Sequence, residues 1–372
     1  MNRWRASLLT GAAGLLPLLL AGCHPTGAWL PDSSGFVYSE PDDRDSYAVI
    51  HYDLKSKKKN ILVKGLKGRT SNAVSLGVSG SPVPAVSPDG KQVAVARVLV
   101  KNQQPSELEI SLYDFTGKPG RQLKTLPFGA PQNMGSGTLI PEFMFWFPDG
   151  KHILVMVSGS RSAVYDLDKE EVTLHDFVPA AQIPFVRPDG KGFVGTVGDV
   201  GKSGGKGGLV LVDWDGKVTP VDRAFNPLAL DPVGVRWGKG QLLLEGPQRL
   251  VAIDLASGRL ERKEQKFDPD IGVGEKVVFL PFGDGTTTTR LGLVSREPKS
   301  ALIPDPFKLT DIVVYGPGGK KTVVAEGEIV FPLFPSFSPD GSLAVIRLDN
   351  RLLVVRNTGA VVAEVESSSK KP

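Results

Sequence analysis

The stretch Val86-Ser87-Pro88-Asp89-Gly90-Lys91-Gln92-Val93-Ala94-Val95 decides the fold. Proline presets φ for the first turn position. Aspartate caps the turn with its own side chain, and glycine takes the left-handed conformation of a three-residue hairpin loop. The alternating apolar residues that follow read as a strand. The stretch therefore predicts a tight β-hairpin, and the same order of residues recurs along the chain. Copies run from Trp29-Leu30-Pro31-Asp32, from Trp146-Phe147-Pro148-Asp149, from Val186-Arg187-Pro188-Asp189 and from Phe337-Ser338-Pro339-Asp340. Asp32, Asp89, Asp149, Asp189 and Asp340 are thus structural turn residues.

A second pattern follows each hairpin: an apolar alternation, usually an aspartate, then a turn. It reads Ile50-His51-Tyr52-Asp53, Leu112-Tyr113-Asp114, Val164-Tyr165-Asp166, Leu211-Val212-Asp213 and Ile253-Asp254, with weaker copies at Val314-Tyr315-Gly316 and Val355-Arg356. That makes seven copies. The 150 residues between Asp189 and Asp340 hold no Pro-Asp-Gly. Three of the seven copies fall there, and two of them mark degenerate repeats, with hairpins near Trp237-Gly238-Lys239-Gly240 and Pro281-Phe282-Gly283-Asp284-Gly285. Repeats of this length, each with four short strands, predict the blades of a β-propeller. No amphipathic helical period follows residue 23.

Composition agrees with a turn-rich chain. Gly (43) and Pro (30) make up about a fifth of 372 residues. The 41% of hydrophobic residues suffices for a large core and excludes a disordered chain. Lys+Arg is 44 against Asp+Glu 40, so no electrostatic footprint for nucleic acid is present. A single cysteine excludes an intramolecular disulfide and a cysteine metal cluster, and four scattered histidines leave little for a histidine site. Neither cofactor nor metal is expected.

The repeats resemble those of the WD40-like, or TolB-like, β-propeller family, over roughly residues 26–366. The resemblance implies four antiparallel strands per blade around a central channel. The expected fold is an all-β propeller of seven four-stranded blades, with six or eight as the neighbouring counts, over residues 29–366. Because a first strand begins at Trp29 and a last strand ends near Glu366, the first and last blades are expected to close by packing, without a shared strand.

The first 23 residues read differently. Arg3 and Arg5 precede an uncharged apolar run over residues 8–21. That run is too short to span a bilayer and fits a secretory h-region. It ends in Leu20-Ala21-Gly22-Cys23, which resembles the lipobox of bacterial lipoproteins. The resemblance implies that Leu20 fills the peptidase's apolar subsite and that Ala21 and Gly22 precede the cut. Cys23 would take the diacylglyceryl thioether and become the mature N-terminus. Two or more acyl chains anchor stably where one does not. His24, not Asp, follows, as in an enterobacterial outer-membrane sorting signal. The expected organisation is a signal peptide over 1–22, a short lipidated tether over 23–28, the propeller, and a disordered tail over 367–372. The expected location is the bacterial cell envelope, at the outer membrane if the cell is Gram-negative.

Other features read as structural. Trp29, Trp146 and Trp237 share one repeat position with Val86, Val186 and Phe337, which points to core packing rather than a ligand stack. Gly201-Lys202-Ser203 lacks the spacing and the helix of a phosphate loop, so no nucleotide is expected. Gly77-Val78-Ser79-Gly80-Ser81 lacks the nucleophile-elbow spacing. His51, His152 and His175 lie in or beside strands with no spaced partner and read as surface or interstrand residues. Asp42, Asp43 and Asp45 lack the glycine of a calcium loop and read as a solvated hairpin tip. The basic run Lys55–Lys59 reads as a turn, with anionic headgroups as its alternative contact. Among the longer loops, Pro127–Pro141, with Phe128 and Met134 and leading into Phe143, is the first place to look for a partner site. The functional expectation is a lipid-anchored, non-enzymatic scaffold that engages the membrane through Cys23 and protein partners through its loops. The alternative is a propeller enzyme or carbohydrate-binding protein with a site at the central channel.

Overall fold

A computed structural model describes residues 24–366, apart from 26, 44–45, 68–81, 102–103, 124, 128–140, 158–160, 176–184, 187–191, 198–207, 214–216, 223–233, 239–240, 246–248, 255–259, 265–274, 283–288, 297–310, 328–332 and 349. The described residues hold thirty-one strands and one 3-10 turn (Pro317–Gly319). The fold is all-β and of β-propeller type. Seven successive antiparallel sheets, I to VII, each follow the chain from one strand to its neighbour.

Sheet I holds β2 (Ala28–Trp29), β3 (Gly35–Asp43), β4 (Ser46–Asp53) and β5 (Lys58–Lys67). Sheet II holds β6 (Val83–Val86), β7 (Gln92–Lys101) and β8 (Gln104–Asp114). Its fourth position is split between β9 (Pro119–Gln122) and β10 (Leu126–Pro127), which both pair with β8. Sheet III is β11 (Pro141–Trp146), β12 (His152–Val157), β13 (Arg161–Asp166) and β14 (Glu171–His175). Sheet IV runs from β15 (Phe185–Val186) through β16 (Gly192–Val197) and β17 (Gly208–Asp213) to β18 (Val218–Asp222). Sheet V runs from β19 (Gly234–Gly238) through β20 (Gln241–Glu245) and β21 (Arg249–Asp254) to β22 (Leu260–Glu264). Sheet VI is β23 (Glu275–Pro281), β24 (Arg290–Arg296), β25 (Asp311–Tyr315) and β26 (Lys321–Glu326). Sheet VII is β28 (Ser336–Phe337), β29 (Leu343–Leu348), β30 (Arg351–Arg356) and β31 (Val361–Glu366). The two degenerate hairpins therefore join the first and second strands of sheets V and VI, as their place in the repeat requires.

The chain divides into two compact units: His24–Asp176 with Phe267–Pro372, and Met1–Cys23 with Phe177–Lys266. The second unit holds sheets IV and V. In the first unit the sheets pack face to face. Phe36, Tyr38 and Ile50 of sheet I meet Leu343, Val345 and Val354 of sheet VII. The opposite face of sheet I, with Val37 and Val49, meets Val93 and Val95 of sheet II. The other face of sheet II meets Ile153, Val155 and Ala163 of sheet III. Phe282 and Phe337 join sheets VI and VII edge to face at 5.3 Å. Second and third strands are covered on both faces, so they read as unbroken apolar runs such as Val93-Ala94-Val95-Ala96. Fully burying each large side chain contributes about 1.5–3 kcal/mol.

Fourth strands lie at the sheet edge and alternate, as the burial of Ala363 and Val365 beside exposed Val361 and Glu364 shows. Ile61, Leu174, Val218, Val323 and Val361, the large apolar side chains most exposed among the described residues, all sit on fourth strands. Lysine and glutamate flank them there, the usual guard of an open edge.

The first and last sheets close by packing with no strand exchanged between them, and one addition appears. β1 (His24–Pro25) pairs in parallel with β27 (Leu333–Phe334), immediately before the first strand of sheet VII. Residues 24, 25 and 28, read as tether from sequence, thus lie in strands.

Candidate functional site

Each sheet has two ends. One carries the turn between first and second strands and the turn between third and fourth. The other carries the second-to-third hairpin and the point where the chain enters.

The turn end is built from the Pro-Asp-Gly repeat. The sequence predicts three loop residues; the structure has four, Pro88 to Lys91, between Ser87 and Gln92. Ser87 N–H donates to the Gln92 carbonyl at 2.9 Å, and Gly90 N–H to the Ser87 carbonyl. The fourth residue is accommodated because the Ser87 hydroxyl, not its carbonyl, accepts from Gln92 N–H at 2.9 Å. Sheet VII repeats this, with Leu343 N–H donating to Ser338 Oγ. The left-handed position is Gly90, Gly150 and Gly341, at φ 68–69°, and Ser33, at φ 60°.

The repeat aspartates cap these turns. Asp89 Oδ1 accepts from the Ser87 hydroxyl at 2.7 Å and from Lys91 N–H at 3.1 Å. Asp32 Oδ1 accepts from the amide and the hydroxyl of Ser34. Asp149 accepts from Lys151 and His152 amides, and Asp340 from the Ser338 and Ser342 hydroxyls and the Ser342 amide. The Ser34 hydroxyl holds the Asp32 carboxyl below the usual range, and the Ser87 hydroxyl does the same for Asp89. The second-pattern aspartates cap the other turn: Asp114 accepts from the Thr116 hydroxyl and the Thr116 and Lys118 amides, and Asp53 from Ser56 N–H.

Neighbouring turns touch. Asp340 N–H donates to Ser33 Oγ at 3.4 Å, joining the turns of sheets VII and I. A side chain grown on Gly90 of sheet II would stand 3.5 Å from the ring of Pro31 in sheet I. Turns of sheets VII, I and II therefore form one continuous surface, with Lys91 exposed on it. The basic run lies at the same end: Lys55, Lys57 and Lys58 are exposed on the β4–β5 turn, opposite the end where the chain enters sheet I.

Two clusters escape the sequence reading. His152 is not partnerless. Its Nδ1 lies 2.7 Å from Asp149 Oδ2 and its Nε2 3.7 Å from Asp166 Oδ2, so both turn aspartates of sheet III grip it. Between sheets I and VII, Glu40 is buried with Lys59 Nζ at 3.4 Å and the Tyr38 hydroxyl at 3.4 Å. Lys59 also donates to the Glu366 carbonyl, and Arg347 to the Ser39 carbonyl at 3.2 Å. Burial pushes the Arg347 guanidinium down and the Tyr38 phenol up. These residues tie the last sheet to the first. Charged residues in strands look solvent-facing in a sequence, so no local signal marks them. Within sheet II, Glu109 is likewise held by Arg97 at 2.5 Å and Gln122 at 2.9 Å.

Trp29 packs between sheets I and VII as expected, its Nε1–H donating to the Ser336 carbonyl. Trp146 packs against the core between sheets II and III. Leu20, Ala21, Gly22, Cys23 and Asp189 lie outside the described residues, as do the serine and phosphate-loop stretches and residues 128–140. Among the described residues, no three His, Cys, Asp or Glu stand together to hold a metal ion. No helix among them is long and apolar enough to cross a membrane.

No family model matches the chain, and no curated protein matches it. Solved structures do. An uncharacterized protein from Listeria monocytogenes is 12% identical over 94% of this chain and 97% of that one, with a TM-score of 0.50. The dihydro-heme d1 dehydrogenase NirN is 14% identical, covering 93% of this chain and 66% of its own, with a TM-score of 0.47. Dipeptidyl peptidase 4 of Porphyromonas gingivalis is 11% identical, covering 93% and 60%, with a TM-score of 0.48. The chain thus spans about two thirds of the dehydrogenase and less of the peptidase. At these identities the likeness is one of fold, and no activity follows from it.

Proposed function

We propose that the chain is a lipid-anchored β-propeller of the bacterial cell envelope, built from WD40-like, TolB-like repeats, that acts as a non-enzymatic scaffold for protein partners. The lipobox Leu20-Ala21-Gly22-Cys23 supports the anchor. The observation that carries the scaffold reading is the turn end. Its loops are held by their own aspartates and serines, and the turns of sheets VII, I and II abut. Such a surface meets a partner without paying to order itself. Partners engage this end, and no nucleotide or nucleic acid takes part.

A photo-crosslinking residue at Lys91 tests the reading in intact cells. A discrete protein adduct, formed by the acylated chain and absent when the neighbouring turn residues Pro31 and Ser34 are replaced by bulky side chains, is expected. Adducts formed only from positions at the opposite end, such as Asn350, would contradict it.

A further inference from the structure

The position of β1 bears on more than the meeting of sheets I and VII. His24 and Pro25 are already in a strand, paired with Leu333 and Phe334, and β1 also lies beside β11 of sheet III. Cys23 is bonded directly to His24, with Cα atoms about 3.8 Å apart. His24, the residue that carries Cys23, thus lies against β27, just ahead of sheet VII, and beside β11, the first strand of sheet III. His24 lies at the end where first strands begin, which is the end of the second-to-third hairpins. Two of those hairpins are long. β3 has nine residues and β7 ten, against six in β12, β16 and β29. The extra three or four residues add about 10–13 Å of reach at 3.3 Å each.

Resting on the lipoprotein reading above, we propose that the bilayer surface faces the hairpin end and that the turn end points away from it. An acyl chain on a residue with no linker cannot let the domain turn over. The β3–β4 and β7–β8 arms stand beside the tether as props against the headgroups. The exposed basic turn Lys55–Lys58 is held away from the membrane that carries the anchor. The headgroup contact open to that run in the sequence is therefore geometrically denied, and the turn surface of sheets VII, I and II is left free for a partner.

Thiol labelling tests this with the full acylated chain, purified from membranes and reconstituted on phospholipid vesicles, so that no protein partner can cover the turn end. Cys23 is consumed as a thioether, so an introduced cysteine is the only free thiol. Lys91→Cys reports the turn end. Asn350→Cys, on the β29–β30 hairpin, and Pro41→Cys, on the β3–β4 arm, report the other; all three positions are exposed. The probe is a polyethylene-glycol maleimide added outside the vesicles. The expected result is full labelling of Lys91→Cys, with loss of most labelling at Asn350→Cys and Pro41→Cys that detergent restores. Equal labelling of all three on a membrane-bound chain, or protection of Lys91→Cys, would overturn the orientation alone. Recovery of the chain in the soluble fraction would overturn the lipid anchor and the orientation with it. Thermal midpoints matching the parent chain identify the variants that report on folded protein, and two independent hairpin positions guard against the loss of one.

Discussion

Gly150 shows what a turn glycine contributes here. It sits at φ 69°, and a side chain added to it would meet nothing within 4 Å. Gly150→Ala therefore costs backbone strain alone, about 1 kcal/mol. Ser33 occupies the equivalent place at φ 60° and carries that strain already. Ser33→Gly should raise stability by a smaller amount, because its hydroxyl also accepts from Asp340 N–H. Urea unfolding checks both; equal stability of Gly150→Ala and the parent would refute the assignment. Proton linkage follows from the same scale. Burial lowers the His51 pKa, against the pull of Asp53 and Asp32. The folded state then binds fewer protons than the unfolded one, so this stabilisation is complete above the unfolded value, near pH 6.5, and fades as pH falls below it. Asp32 and Asp89, held low by hydroxyl bonds, add a second loss that begins near the unfolded value, about pH 4, as the solution is acidified further. Thermal midpoints across pH 3–8 should fall in two stages, and His51→Phe should flatten the first.

At the scale of elements, the contact between sheets I and VII carries a buried charge cluster. Arg347→Met removes the buried cation that faces Glu40 and leaves the carboxylate with Lys59. A loss on the order of 2–3 kcal/mol is expected. Glu40→Leu should cost as much, since it removes the carboxylate that faces the buried Arg347 and leaves that cation, among the described residues, only its Ser39 carbonyl bond. The double variant should lose clearly less than the sum; strict additivity, measured by denaturant unfolding, would show that the two side chains do not interact. None of this is legible in the sequence, because the pairing depends on residues 307 positions apart. The turns are legible, because Pro88, Asp89 and Gly90 each state a local backbone preference. Even there, one loop residue is missed. The Ser87 and Ser338 hydroxyls replace a backbone acceptor, and only coordinates show that exchange. His152 is missed for a related reason: its partners Asp149 and Asp166 are read as caps, and a cap has oxygen lone pairs to spare. β1 is invisible because a two-residue parallel bridge has no period to detect.

For the whole molecule, the anchor and the repeat make separate demands. Cys23→Ser should move the protein from the membrane fraction to the soluble one and leave its thermal midpoint unchanged, because the strands begin at His24. A midpoint that falls with the lipid would mean that acylation is part of the fold. On the proposed anchor, orientation would be set by the chain's entry point, which places the proposed partner surface and the proposed membrane surface at opposite ends of every sheet in the first unit. That division follows from β1 and the turn repeat together, and neither alone implies it. Everything said of the scaffold depends on where the mature chain starts and what its first residue carries. Mass spectrometry of the N-terminal peptide, from protein extracted out of native membranes, measures both. The expected peptide begins at Cys23 with a diacylglyceryl thioether. A peptide beginning elsewhere, or an unmodified Cys23, would contradict the account.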